Sequence, residues 1–202
     1  GSADSQLGAL DGLSDYAAQP VSTDVQHIQP VENYGSAFAP YFMSLSLWVG
    51  GLMIFFGIFL DYEKKIKVLS RDSNRIIVRG VVFIALGLLQ AVLLSVVIKY
   101  ALGITVNNLL MLYLSCMVVS MAFVSIIQFC IVHLKDLGKF ISLLLLILQL
   151  TSCAGTFPYE TLPKMFQNLY PYMPMTYSVG LFKEAISGSW NSYAVKDIIV
   201  LM

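Results

Sequence analysis

A chain of 202 residues that is 57% hydrophobic and 12% charged, with a mean hydropathy of +0.76, is more apolar than a water-soluble domain of ordinary make-up. Its 12 Lys and Arg balance its 12 Asp and Glu, so no cationic excess points to nucleic acid, and the expected surroundings are membrane lipid. Cys116, Cys130 and Cys153 are odd in number, widely spaced and set in apolar runs. That pattern gives neither a disulfide framework nor a metal site, and it suits small helix-packing residues.

Residues 1–40 are polar and acidic, with Pro20, Pro30 and Pro40 as breakers. Leu7, Leu10 and Leu13 have roughly helical spacing, and from Gln19 onward the chain reads as an extended connector. No charged n-region followed by an apolar h-region opens the chain, and it stops in the apolar run Ile198–Met202. It therefore reads as a piece of a longer protein, and residues 1–40 as the foot of an extracytoplasmic stalk.

The first predicted span, Tyr41–Leu60, suits a hydrocarbon core about 30 Å thick and holds no ionisable residue. Gly50, Gly51 and Gly57 should let neighbouring helices approach, and Trp48 lies too deep for an interfacial anchor, so packing is its expected role. No Lys or Arg precedes Lys64; then Lys64, Lys65, Lys67, Arg71, Arg75 and Arg79 arrive together. Basic residues beside spans stay in the cytoplasm, which puts this loop inside and the N-terminal arm outside. Ile66, Leu69 and Ile76 fall near one helical face, which predicts a short interfacial helix within Asp61–Arg79. The loop reads first as a topological anchor touching anionic lipid, and second as a docking element for a partner.

Further spans are predicted at Gly80–Tyr100, Leu109–Leu134 and Phe140–Thr156, with another begun at Val195. The turn at Gly103–Asn108 carries no basic residue, as expected outside; His133, Lys135, Asp136 and Lys139 mark an inside turn. Inside loops then hold 8 Lys and Arg against 4 outside (Lys99, Lys164, Lys183, Lys196), in keeping with this orientation. Tyr159–Tyr193 is semi-polar and rich in Tyr and Pro. Leu162, Phe166 and Leu169 make one apolar stripe, and Tyr177, Leu181 and Ala185 a second. Two short helices at, or dipping into, the outer interface are predicted there.

No Asp, Glu, Lys or Arg lies well inside a span, which argues against proton- or ion-coupled transport. Gln90, Gln128 and Gln149 are the long polar side chains inside the spans. They read as interhelical hydrogen-bonding groups, and they are the candidates if a polar path exists. His27 and His133 lack partners at ligand spacing, and no nucleophile–base pair or phosphate-binding glycine loop occurs. Neither an enzyme, a cofactor nor a metal is expected.

Pro30-Val31-Glu32-Asn33-Tyr34-Gly35-Ser36-Ala37-Phe38-Ala39-Pro40-Tyr41-Phe42, running into Ser44–Gly50, resembles the entry to the membrane block of the YhgE/Pip (phage infection protein) family. Thr156-Phe157-Pro158-Tyr159-Glu160-Thr161-Leu162-Pro163, with Pro171, Met173–Tyr177 and Lys183–Gly188, is similar to the segment before the last helix of ABC-2-type permeases. The resemblance covers about residues 30–202 and implies an all-α polytopic bundle in the bacterial plasma membrane. It implies one N-terminal helix and a large extracellular domain before five further spans, this chain being the stalk end and the spans from the second into the sixth. The permease resemblance implies export of a lipid, polymer or amphiphile by a homodimer, with a separate ATPase docking at the basic loop. The family resemblance also implies the alternative of a surface receptor or scaffold, with the membrane block anchoring an ectodomain used by phage or a secretion apparatus.

Overall fold

The computed structural model describes residues 34–69, 75–155, 159–188 and 192–202, and among these every regular element is helical. The elements are α1 (Tyr34–Leu69), α2 (Arg75–Val96) with a π-helical end (Val97–Ala101), α3 (Leu109–Leu134) and α4 (Asp136–Ser152). A 3-10 turn (Tyr159–Thr161), α5 (Lys164–Leu169), a second 3-10 turn (Tyr170–Tyr172), α6 (Pro174–Ser187) and α7 (Ser192–Leu201) follow. The described residues belong to one compact unit, Val31–Met202. The expected all-α membrane architecture is what is seen.

Three of the described helices are long and apolar enough to cross a membrane, over Ala37–Gly57, Gly80–Ala101 and Leu109–Leu134. The α1 helix has 36 residues, a length of about 54 Å, well beyond one hydrocarbon core. It starts at Tyr34, inside the stretch expected to be a connector, and carries Pro40 within it. It also runs on to Leu69, so the interfacial helix expected as a separate element is, up to that residue, the end of α1. Between Leu60 and Leu69 there is neither Gly nor Pro, and Glu63, Lys64, Lys65 and Lys67 are good helix formers, so nothing stops propagation. Residues 1–33, which carry most of the predicted stalk, lie outside the described residues.

The α3–α4 connection is tighter than a loop. Lys135 alone separates the two helices, at φ 52°. Gly138 then faces the Cys130 carbonyl so closely that any Cβ would collide with backbone. The predicted fourth span, Phe140–Thr156, appears as a helix of 17 residues set four positions earlier, Asp136–Ser152. That is about 26 Å of helix. Asp136 suits its first turn, where the helix dipole favours a carboxylate.

Small residues set the crossings between the long helices, as membrane packing requires. Ser120 Oγ donates to the Gly87 carbonyl at 2.7 Å, tying α3 to α2. Gly51 lies against Ile127, and Gly50 against Gln90, whereas a Cβ on Gly57 would meet nothing within 4 Å. Between these crossings the core is filled by Leu47, Trp48, Phe55, Phe83, Phe123 and Ile127, all fully buried. Trp48 packs edge-on to Phe123 at 5.0 Å and donates through Nε1 to the Ser142 carbonyl at 3.3 Å. It is a packing residue, as its depth in the sequence predicts.

The second of the two expected interfacial helices is integrated into the bundle. Met175, Ser178, Val179, Leu181, Phe182 and Ala185 of α6 are buried, and the helix packs on α1, α3, α4 and α7. Pro174 opens it where a missing N–H costs nothing, and Thr176 Oγ1 donates back to the Tyr170 carbonyl at 2.8 Å. Gly188 closes it at φ 75°, its N–H donating to the Glu184 carbonyl, the left-handed cap that glycine adopts without strain. Asn107, from the α2–α3 connection, donates through Nδ2 to the Ser187 carbonyl at 2.8 Å. So α6 bridges one end of the bundle, from α1 and α4 to the α2–α3 connection.

Candidate functional site

The three glutamines occupy different helix contacts and have different degrees of satisfaction. Gln90 on α2 donates through Nε2 to the Leu47 carbonyl of α1 at 2.8 Å, over the gap that Gly50 leaves. A Cβ on residue 50 would come within 2.7 Å of the Gln90 side chain, so the glycine makes that bond possible. Gln128 is half-buried on α3, with its amide facing Gly80 at the start of the second span. Gln149 on α4 is 0% exposed, and neither its Nε2 nor its Oε1 has a partner among the described residues.

Around the end of α4 the interior is polar in a way the sequence did not single out. Ser142, Gln149 and Ser152 form a buried face of α4. Ser44 of α1 donates to the Pro40 carbonyl at 3.0 Å, and Ser178 of α6 lies 2.8 Å from Ser44, hydroxyl to hydroxyl. Cys153, Met175 and Val179 pack with Tyr41, Leu45 and Leu150 beside this polar level. Serines spaced through apolar helices give no sequence signal for the meeting of Ser44 and Ser178, because it depends on how α1 and α6 cross. All three cysteines are free and buried.

The basic cluster is split by structure. Lys64, Lys65 and Lys67 lie in the last turns of α1, Arg75 and Arg79 in the first turns of α2, and Arg71 lies outside the described residues. At the neighbouring turn, Lys139 Nζ donates to Asp136 Oδ1 at 2.8 Å and holds that carboxyl below the usual carboxylate range. This pair is fully exposed on the carboxylate side, so its worth to stability is small. At the other end, burial raises the Glu184 carboxyl, and the charge of Asp197 adds to the rise against a backbone hydrogen bond at Ala194. Asp197 leans on the α6 backbone at Gly180, where a Cβ would meet its Oδ2 at 2.5 Å. The described residues hold no group of three or more His, Cys, Asp or Glu able to bind a metal ion.

These membrane-crossing helices, packed at small-residue crossings, make a polytopic membrane domain, and comparison with known proteins decides which kind. The family model for ABC-2 family transporter protein matches residues 4–202. The chain belongs to the ABC-2 transporter family. Among curated proteins it is similar to the "Uncharacterized protein YhgE" of Bacillus subtilis (strain 168), with 33% identity over 176 residues. The aligned part is 87% of this chain and 22% of that relative, so the chain spans about a fifth of the relative's length. No solved structure matches. The resemblance drawn from Pro30–Gly50 and Thr156–Gly188 is thereby upheld: this is a YhgE/Pip-type ABC-2 permease domain.

Proposed function

We propose that this chain is the membrane-embedded part of an exporter of a lipid, polymer or amphiphilic compound, working as a homodimer and driven by a separate ATPase. The observation that carries the reading is the ABC-2 family match over residues 4–202. The ATPase docks where α1 and α2 meet, at the segment bearing Lys64, Lys65, Lys67, Arg71, Arg75 and Arg79. That end is cytoplasmic, because the basic residues concentrate there. The end bridged by α6 and the arm before Tyr34 are then extracytoplasmic, in a bacterial plasma membrane. The domain itself performs no covalent chemistry.

The test is purification of the intact protein from its host in mild detergent, followed by identification of what accompanies it. Export predicts a stoichiometric nucleotide-binding partner that is lost when Lys64, Lys65 and Lys67 are replaced by Glu. Recovery without such a partner, and unchanged function after those replacements, would sink the reading. A second reading draws on the small share of the YhgE relative that this chain matches. There the membrane block anchors a larger external part that serves as a receptor or scaffold for phage or a secretion apparatus.

A further inference from the structure

Beyond the end of α4 the chain folds around a cavity of about 760 Å3. Tyr159, Gln167, Asn168, Tyr170, Pro171 and Tyr172 line it, drawn from α5 and the two 3-10 turns that flank α5. Contacts among these residues brace the walls. The rings of Tyr159 and Tyr170 meet edge to face, with 5.0 Å between their centroids. Gln167 Nε2 donates to the Tyr159 carbonyl at 3.3 Å and to the Leu162 carbonyl at 2.9 Å. From the α6 side, Tyr177 Oη donates to the Pro171 carbonyl at 2.6 Å, and Thr176 Oγ1 to the Tyr170 carbonyl at 2.8 Å. The chain itself fixes the walls, so a ligand need not order them.

Aromatic rings alternate here with neutral hydrogen-bonding groups. Tyr172 is 79% exposed, so its ring is open to a ligand. Both Nε2 hydrogens of Gln167 go to carbonyls, which leaves its Oε1 as the remaining polar atom of that side chain. The exposed Asn168 amide adds donors and an acceptor. None of the six lining side chains is a cation or a carboxylate; the charge of Asp197 acts on Tyr170 from outside the lining. A sugar ring has the matching character, with hydroxyls that donate and accept at its edge and C–H faces that pack on aromatic rings. An acyl chain would leave the amides without partners, and an anionic head would find no cation among the six. Tyrosines that only anchor a protein at the membrane interface need no walled cavity.

We propose that this cavity binds a short stretch of a neutral glycan, with Tyr172 packed on a sugar ring and Asn168 and Gln167 holding its hydroxyls. The volume lies in the range of ligand pockets, roughly 300–1,000 Å3. The cavity follows the end of α4 that lies away from the Lys135 turn, so the proposed topology puts it outside the cell. The site stands without the export reading.

The intact protein in phosphatidylglycerol nanodiscs, which leave both faces accessible, is titrated with maltotriose, cellotriose and chitotriose. Binding is read by saturation-transfer NMR against empty nanodiscs. At least one trisaccharide is expected to bind, with a Kd of about 1 mM. Tyr172→Ala should weaken it about tenfold and Asn168→Ala about fivefold, whereas Tyr172→Phe, which keeps the ring, should stay within about twofold. Both residues are exposed, so the unfolding temperature of these variants should match the wild type. Choline and glycerol 3-phosphate, the cationic and anionic comparators, should give no transfer. Absence of binding by all three sugars, choline binding as tight as theirs, or full affinity in Tyr172→Ala overturns the site. No step uses nucleotide or an ATPase, so this result and the co-purification result can fail independently.

Discussion

Gln149 and Gly138 show how differently single residues on one helix act. Gln149 buries an unpaired amide, so replacing it with Leu, close in size and apolar, removes a desolvation cost. Gln149→Leu is expected to stabilise the folded protein by about 1–3 kcal/mol, read as a higher unfolding temperature in detergent. A drop in that temperature would mean that the amide is satisfied in the folded state. Gly138 has the opposite sign. Its missing side chain is what allows α4 to lie on the Cys130 carbonyl, and backbone cannot step aside as a flexible side chain can. Gly138→Ala is expected to cost roughly 1–3 kcal/mol or more, seen as lower yield and a lower unfolding temperature. The same substitution at Gly57, with open space around it, should be close to neutral. Of these residues the sequence exposes the glutamine as a polar intruder, but not its lack of partners. Gly138 carries no signal, because its neighbour is defined only once α3 and α4 fold back on each other.

Among elements, α6 departs most from what its sequence suggests. Its Leu181–Ala185 stripe was legible, yet amphipathicity cannot say whether an apolar face meets lipid or protein. Here it meets α1, α3, α4 and α7. The pin at its end includes the bond from Asn107 to the Ser187 carbonyl, an acceptor at the end of the helix. Asn107→Ala should therefore loosen the last turn of α6 at a cost of about 1 kcal/mol, detected as faster amide exchange confined to residues 184–188. A second prediction concerns pH. The Glu184 carboxyl is raised above its ordinary 4.5 by burial and then by Asp197, so the folded protein holds that proton more tightly than the unfolded one. Its stabilising contribution is full below pH 4.5 and is lost as pH rises through the native pKa. Glu184→Gln should flatten that part of the stability–pH curve, and an unchanged slope would show that Glu184 binds its proton equally in the folded and unfolded states.

At the scale of the molecule, the asymmetry of charge is the organising fact. If the basic end faces the cytoplasm, cysteines introduced at Lys65 and Lys139 should react only with membrane-permeant reagents in intact cells. One introduced at Asn107 should react with impermeant reagents too. The reverse pattern would invert the proposed topology while leaving the family assignment untouched. The sequence by itself determined that this is a helical membrane protein, where its long spans lie and which family it belongs to. Those properties follow from run length, hydropathy and local motifs, which each segment carries alone. The passage of α1 through the predicted boundary at Leu60 is local too, since neither Gly nor Pro stops it there. Tertiary structure decided that α6 enters the bundle and that Ser44 and Ser178 meet. These depend on crossing distances set by Gly51, Gly87 and Gly138 against their partners. Such distances belong to pairs of helices and are written in neither one alone.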